Sequence, residues 1–381
     1  MTSKFRARFL WNRAQGKWAA ALCALSLVAT ACTAGQSVSS GAPSASPGGP
    51  SAGPGKVIVA DTGGTHAAAD WAAYFAPFQA KTGIQVQLIV GPDDPLAAVQ
   101  AQVASGNIQW DLVICRYDNT LQDPSAWEPT DTSIVHSNDL IYPDQIGKLY
   151  VVNEITGFPV LAYSTTAFPT QGPASWADYF DVKKFPGPRG MMNIGLTSAL
   201  RVPVTALLAD GVAPANLFPL DLNRAYAKLD KLKPDIRVFW TTFAQSQDIL
   251  RQGEVVMTPM ADGRALQLLY GGSKVGVSWN GFVQGSGTWC VPKGAPNKVN
   301  AFKVLQYMLE NPQQQAVQTS LTFYSPPTKA GAAAAKGLGV TDFASLHVAE
   351  ASIKDNDPVV SAYTKENAQM LLARWNAWVG K

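Results

Sequence analysis

Residues 111–119 read DLVICRYDN: a short apolar run, Leu112 to Cys115, that delivers Arg116, Tyr117 and Asp118 side by side. A guanidinium, a phenol ring and a carboxylate at one strand tip suit a small polar ligand, because open α/β sheets bind ligands beyond the carboxyl ends of their strands. The simpler reading is a turn whose charges face water, with Arg116 paired to Asp118. A second candidate follows the first apolar strand: Thr62-Gly63-Gly64-Thr65, a hydroxyl-rich turn whose glycines could serve only to bend the chain. Asp93-Asp94, in a Gly/Pro-flanked loop, reads as a solvated turn rather than an acid/base pair. There is no GxSxG elbow, no P-loop and no GxGxxG after a strand. His66, His136 and His347 lie far apart, and no Cys/His group has metal-ligand spacing. The residues therefore point to binding without catalysis, with no cofactor and no metal expected.

The formal net charge is +3, and Lys4, Arg6, Arg8, Arg13 and Lys17 carry part of it at the start of the chain. The remainder is close to neutral and has no basic stripe, which excludes nucleic acid as a partner. The early basic residues precede an apolar run from Trp18 to Cys32, so residues 1–31 read as a secretory signal peptide. Ala29-Thr30-Ala31-Cys32 resembles the bacterial lipobox, which implies acylation of Cys32. Residues 33–55 are almost only Gly, Ala, Ser, Pro and Thr, so residues 32–56 form an anchor and a flexible tether. Of the other cysteines, Cys23 leaves with the signal, and Cys115 and Cys290 fall at the ends of apolar runs. They could pair, but a fold with this much core does not need a bridge, and two buried thiols are the expected state.

From Lys56 onward strands and helices alternate. Residues 57–61, 84–90, 111–115, 236–240, 255–260 and 275–279 read as strands. Trp71, Phe75 and Phe78 recur at helical spacing before Gly83. Leu222, Tyr226, Leu229 and Leu232 make a helix face after Asp221. Val299, Phe302, Leu305 and Met308 make another, closed by Pro312. The alternation predicts an α/β protein with mainly parallel sheets, and residues 57–381 are too many for one typical doubly wound sheet, so two lobes are expected.

FQAKTGIQV (78–86), VQAQVASGNIQWDLVI (99–114), SWADYFDVKKFPGPRG (175–190), LLADGV (207–212), AYAKLDKLKPDIRVFWTTFAQ (225–245), LRQGEVVM (250–257) and WCVPKGAPNK (289–298) resemble, in order, the solute-binding proteins of ABC importers. Within that family the segments resemble the spermidine/putrescine-type branch most. The resemblance implies a two-lobed periplasmic-binding-protein fold of type II-like form, whose hinge closes the lobes on ligand. VLAYST (160–165) resembles the first crossover and TWCVPKGA (288–295) the second. Lobe one would hold residues 57–162 plus about 288–322, and lobe two 163–287 plus about 326–381.

The implied partners are a small solute, an ABC permease with its ATPase, and the membrane through a lipid anchor, for an exported monomer. The branch holds polyamine ammonium groups with carboxylates and aromatic rings. Here its acidic pair in lobe two falls on Ser198 and Arg201, and its acidic residue before the second crossover on Gly287. Two pocket tryptophans fall on Ala261 and Gly285. A small hydroxyl residue falls on Arg116, a tyrosine on Asp118, and only Tyr324 matches the branch aromatic. Carboxylates lost and guanidiniums gained favour an anionic or zwitterionic solute, although Arg201 could equally pair with a structural acid. The expected contacts are Thr62, Gly63, Gly64, Thr65, Arg116, Tyr117, Asp118, Ser198, Arg201, Trp240, Thr241, Asp262 and Tyr324, with Trp240 and Trp279 as core residues in the alternative. A true polyamine binder is the nearest rival, an exported hydrolase the rival of another class, and a non-transporting sensor a third.

Overall fold

The structure is a computed structural model and describes residues 55–92, 94–354 and 357–380. The signal peptide, Cys32, the tether and Asp93 lie outside the described residues. The first sheet begins with β1 (Lys56–Asp61), β2 (Gln85–Val90) and β3 (Leu112–Cys115), all parallel, with β1 in the middle. Between β1 and β2 run helix α1 (Gly64–Asp70), a π-helical turn (Trp71–Phe75) and helix α2 (Ala76–Thr82), which ends where Gly83 takes a left-handed conformation. Helix α3 (Leu96–Ser105) leads into β3, and α4 (Tyr117–Gln122) begins at its tip. Phe75 and Phe78 are buried against this sheet and Trp71 is half-buried there, so the apolar spacing seen in the sequence marks the face toward the sheet.

Strand β4 (Val151–Gly157) closes the first sheet's contribution, and β5 (Val160–Ser164) already belongs to the second. The second sheet runs β7-β6-β8-β5-β9, from β6 (Arg189–Met192), β7 (Ile236–Trp240), β8 (Met257–Met260) and β9 (Val275–Ser278). Its helices are α5 (Trp176–Phe180), α6 (Gly195–Ala209), α7 (Leu222–Leu232), α8 (Phe243–Arg251) and α9 (Asp262–Tyr270). Helix α7 buries Leu222, Ala225, Tyr226, Leu229 and Leu232, and the Asp221 side chain accepts from Arg224 N at its start.

The chain then returns as β10 (Phe282–Cys290), which lies between β3 and β4 and runs antiparallel to both. Helices α10 (Lys298–Glu310), α11 (Pro312–Thr322) and α12 (Lys329–Gly337) and strand β11 (Ala351–Lys354), parallel to β10, complete the first lobe. The long helix α13 (Pro358–Val379) packs on α6 of the second lobe. In both sheets the strand arriving from the other lobe, β10 or β5, runs antiparallel beside the third strand. The sheets are therefore mixed rather than mainly parallel.

The two-lobed α/β architecture is as expected, but the passages between lobes are not where the sequence placed them. The first change of sheet comes at Phe158-Pro159. The second comes at Trp279–Gly281, upstream of 288–295, because β10 pairs with first-lobe strands along its length. Residues up to Lys354 stay with the first sheet, so only α13 of the expected C-terminal block joins the second. Helix α10 ends at Glu310, just before Asn311-Pro312 as expected, and Pro312 also opens α11. Val299 is exposed, while Phe302, Leu305 and Met308 are buried.

Cys115 and Cys290 form a disulfide, contrary to the expectation of two buried thiols. The reason is topological: β3 and β10 are antiparallel neighbours, and their pairing puts the two Cα atoms 5.7 Å apart, inside the bridging range. Residues 175 apart in sequence give no sign of that adjacency. Among the described residues no helix is long and apolar enough to cross a membrane.

Candidate functional site

A cavity of about 400 Å³ lies between the lobes, at the carboxyl ends of β1 and β3. Its first wall comes from the first lobe. Thr62 and His66 follow β1, Arg116, Tyr117 and Asp118 follow β3, and Glu154 and Thr156 stand on β4 beside Ser286 and Gly287 of β10. Asp94, Ile114, Cys115, Leu121 and Tyr324 line it as well. The second wall carries Ile194, Gly195, Leu196, Thr197, Leu200 and Arg201 from the start of α6, Thr241 and Phe243 at the start of α8, and Ala261 and Arg264 near that of α9.

The strand-tip cluster of the opening motif is largely self-satisfied. Arg116 donates from Nε to Asp118 Oδ1 at 3.0 Å and from Nη2 to Asp118 Oδ2 at 2.7 Å, with Asp94 Oδ2 3.4 Å from Nη1. Asp94, read as a solvated turn, is part of this group and also accepts from Asn119 Nδ2 at 3.1 Å. Tyr117 lines the cavity, and its hydroxyl accepts from Ser361 of α13 at 3.2 Å, across the lobes.

Glu154 and His66 are the residues that sequence reading missed. Glu154 is nearly fully buried. It accepts from Gln318 Nε2 at 2.7 Å, and its Oε1 lies 3.2 Å from His66 Nε2. It pairs in register with Gly287, where an added Cβ would sit 2.4 Å from the Glu154 carboxylate. The glycine that had stood for a lost carboxylate is therefore the space a neighbouring carboxylate occupies. The only signal was a lone Glu in VVNEITG, on a strand whose partner the sequence does not reveal. Burial alone pushes the His66 imidazole down, but Asp70, Glu154 and Asp61 around it raise it well above the ordinary histidine value.

On the second wall, Arg201 donates from Nη1 to Phe158 O at 2.6 Å and lies over the Phe158 ring at 5.0 Å. It sits two turns into α6, whose first residues Gly195, Leu196 and Thr197 face the cavity without a side-chain cap. Uncapped first-turn N–H groups attract anions. Arg264 donates from Nη1 to Thr65 Oγ1 at 2.8 Å, a contact from lobe two to lobe one.

Of the other expected contacts, Thr62, Thr241 and Tyr324 line the cavity. Thr242 caps α8, and burial first pushes the Tyr324 phenol up to about 12. Gly63, Gly64 and Thr65 do not line it. Both glycines have positive φ and turn the chain into α1, while Thr65 meets Arg264. Ser198 is fully buried and accepts from Ile194 N at 2.8 Å. Trp240 is a core residue that donates to Thr258 Oγ1 at 2.9 Å, because the last inward position of β7 points into the lobe. Asp262 is fully buried away from the cavity, and burial first holds its carboxyl well above the usual range.

Comparison with known proteins fits this architecture. The chain is 32% identical over 327 residues to the gamma-aminobutyric acid-binding protein of Pseudomonas aeruginosa, covering 84% of this chain and 89% of that protein. An ABC transporter substrate-binding protein from Bradyrhizobium japonicum USDA 110 superposes with a TM-score of 0.74 at 31% identity, over 85% of this chain and 99% of the other. A GABA receptor of known structure superposes at 0.73 and 30% identity, over 85% and 97%. These are binding proteins, so the hydrolase alternative falls. The chain is the substrate-binding component of an ABC transporter for a small solute, working with a permease rather than as an enzyme. With the family of bacterial extracellular solute-binding proteins matching residues 73–341, the chain belongs to that family.

Proposed function

We propose that the protein is a lipid-anchored, monomeric receptor for a small zwitterion of the ω-amino-acid class, a solute with a carboxylate at one end and an ammonium at the other. One observation carries this reading: the cavity's two walls differ in charge. Its lining carboxylates, Asp94, Asp118 and Glu154, all stand on the first wall, while Arg201, Arg264 and the uncapped start of α6 stand on the second. Arg116 is paired with Asp118. Glu154, held by Gln318 and His66, would accept from the solute ammonium, and Arg201, which donates to the Phe158 carbonyl, would extend its planar fork to the solute carboxylate.

Arg201 stands about two turns from the α6 N-terminus, so guanidinium and backbone donors converge on one solute end. Phe158 and Phe243, with ring centroids 5.3 Å apart, offer an apolar surface for the methylenes between the charged ends. The Pseudomonas aeruginosa relative is a gamma-aminobutyric acid-binding protein, and that solute is of this class. A polyamine finds support in the three first-wall carboxylates, but its second ammonium would face two guanidiniums. Thermal shift with gamma-aminobutyrate, β-alanine, butyrate, butylamine, putrescine and spermidine tests the reading. The zwitterions should raise the melting temperature, since saturation at about 100 times Kd adds roughly 2.7 kcal/mol. Stabilisation by putrescine or spermidine alone would overturn it.

Anchoring rests on Cys32 and the Gly/Ala/Ser/Pro tether that follows it. Native protein should partition with membranes, and Cys32→Ser should release it to the soluble fraction or stall its processing. Soluble wild-type protein beginning a few residues away from Cys32 would contradict the anchor.

A further inference from the structure

Beneath the first wall lies a polar group that solute binding does not account for. Asp61 ends β1, and His66 and Asp70 lie four residues apart on α1, at the edge of the π-helical turn Trp71–Phe75. His66 Nδ1 is 3.6 Å from Asp61 Oδ1 and 3.6 Å from Asp70 Oδ2, too far for a hydrogen bond to either. Asp70 is fully buried, and neither of its carboxylate oxygens has a hydrogen-bond donor. The Gln318 amide faces both Asp70 and Glu154, and its 2.7 Å hydrogen bond goes to Glu154. The fully buried Tyr74 hydroxyl, next to Asp70 in the electrostatic field, also lacks a partner. Three buried carboxylates crowd one imidazole, an arrangement that burial penalises unless a proton or a cation compensates it.

We propose that Asp61, His66 and Asp70 form a divalent transition-metal site, of zinc class, in the first lobe. One ligand atom from each lies within 4.8 Å of the others. Atoms spaced 3.6 to 4.8 Å apart leave a central point roughly 2.1–2.4 Å from each, within the bond lengths at which divalent cations hold nitrogen and oxygen ligands. The mixed imidazole and carboxylate set favours zinc or manganese over magnesium. The imidazole is oriented as a metal-binding histidine usually is: Nε2 faces the Glu154 carboxylate, which leaves Nδ1 to the ion. His66 and Thr62 line the cleft cavity, which gives the ion a way in. The bound ion would fix the β1–α1 turn and hold the His66–Glu154 pair on the cavity wall. The site shares the His66–Glu154 pair with the cavity wall, but its zinc readout does not depend on the zwitterion reading.

The test is calorimetric titration of chelator-stripped full-length protein with zinc chloride, with melting temperatures alongside. It is run in a His347→Gln background, because His347, Asp342 and Glu350 form a second acidic histidine cluster at the surface. One zinc per chain and a rise in melting temperature are expected. Asp70→Asn and Asp61→Asn should weaken zinc binding more than tenfold. Both should leave the metal-free melting temperature unchanged or higher, because each removes one of the crowded carboxylates. Glu154→Gln should weaken binding by about ten- to a hundredfold. Absence of zinc binding, or affinity unchanged in Asp70→Asn, would overturn the proposal. So would a drop in metal-free melting temperature in Asp70→Asn without any zinc effect, which marks a purely structural His66–Asp70 pair.

Discussion

The two walls of the cleft are built in opposite ways. The first wall places its charges in pairs before any solute arrives: Arg116 with Asp118 and Asp94, and Glu154 with His66 and Gln318. It also rests on strands β3 and β10, which a disulfide ties together. The second wall is mostly apolar side chain and helix start, with Arg201 and Arg264 as its lining charges. The difference teaches that residue type at a strand tip is a poor guide to how far a charge is already paired. Arg116, prominent in the sequence, is held by carboxylates, whereas Arg201 donates to a backbone carbonyl and stands near the uncapped start of α6.

The largest expected effect breaks the scaffold of the first wall. Removing the Cys115–Cys290 bridge by double substitution to alanine should cost roughly 2–4 kcal/mol of stability, read as a lower melting temperature or as sensitivity of the wild type to reductant. Second-lobe substitutions of similar size should show no reductant dependence. Next, Arg201→Ala should weaken zwitterion binding about ten- to a hundredfold, the weight of a charge-assisted hydrogen bond. Arg201→Lys should recover part of that, since it restores charge without the fork. Glu154→Gln should weaken gamma-aminobutyrate binding but leave binding of butyrate, which has no ammonium, nearly unchanged. Equal losses for both solutes would break the assignment of one charge to each wall.

Smaller effects sharpen the comparison. Arg264→Ala removes the 2.8 Å contact to Thr65 that joins the walls. A hydrogen bond worth roughly 0.5–1.5 kcal/mol implies about two- to tenfold weaker binding and a more open shape in solution scattering. Thr65→Ala should match it, and no change in either would remove the contact from the closure step. Arg116→Ala should have the smallest effect on affinity, within a few-fold, because Asp118 already holds the guanidinium. A loss as large as that of Arg201→Ala would show that Arg116 leaves Asp118 to meet the solute.

Most of the fold was legible. Six strand segments were marked by apolar runs, and helix α7 by its four apolar positions and its Asp221 cap. The lobe passages were not, because β10 reads as an ordinary strand whichever sheet it joins. Its register alone places Gly287 opposite Glu154 and Cys290 near Cys115. The same limit hid Glu154 and His66. Each is unremarkable alone, and they become a site only through pairing of β4 with β10 and packing of α1 on the sheet. Arg201 does line the cavity, and it stood out because a guanidinium in place of a family carboxylate is a change of charge that one sequence can show. Trp240 was misplaced because an aromatic at a strand end serves core and cleft equally well.

The most direct measurement is the structure of the complex with gamma-aminobutyrate. The account predicts the solute carboxylate at roughly 3 Å from Arg201 and the first turn of α6, and its ammonium at a similar distance from Glu154. A solute lying the other way round, or one held by Arg116 with Arg201 still bound only within its own wall, would contradict it.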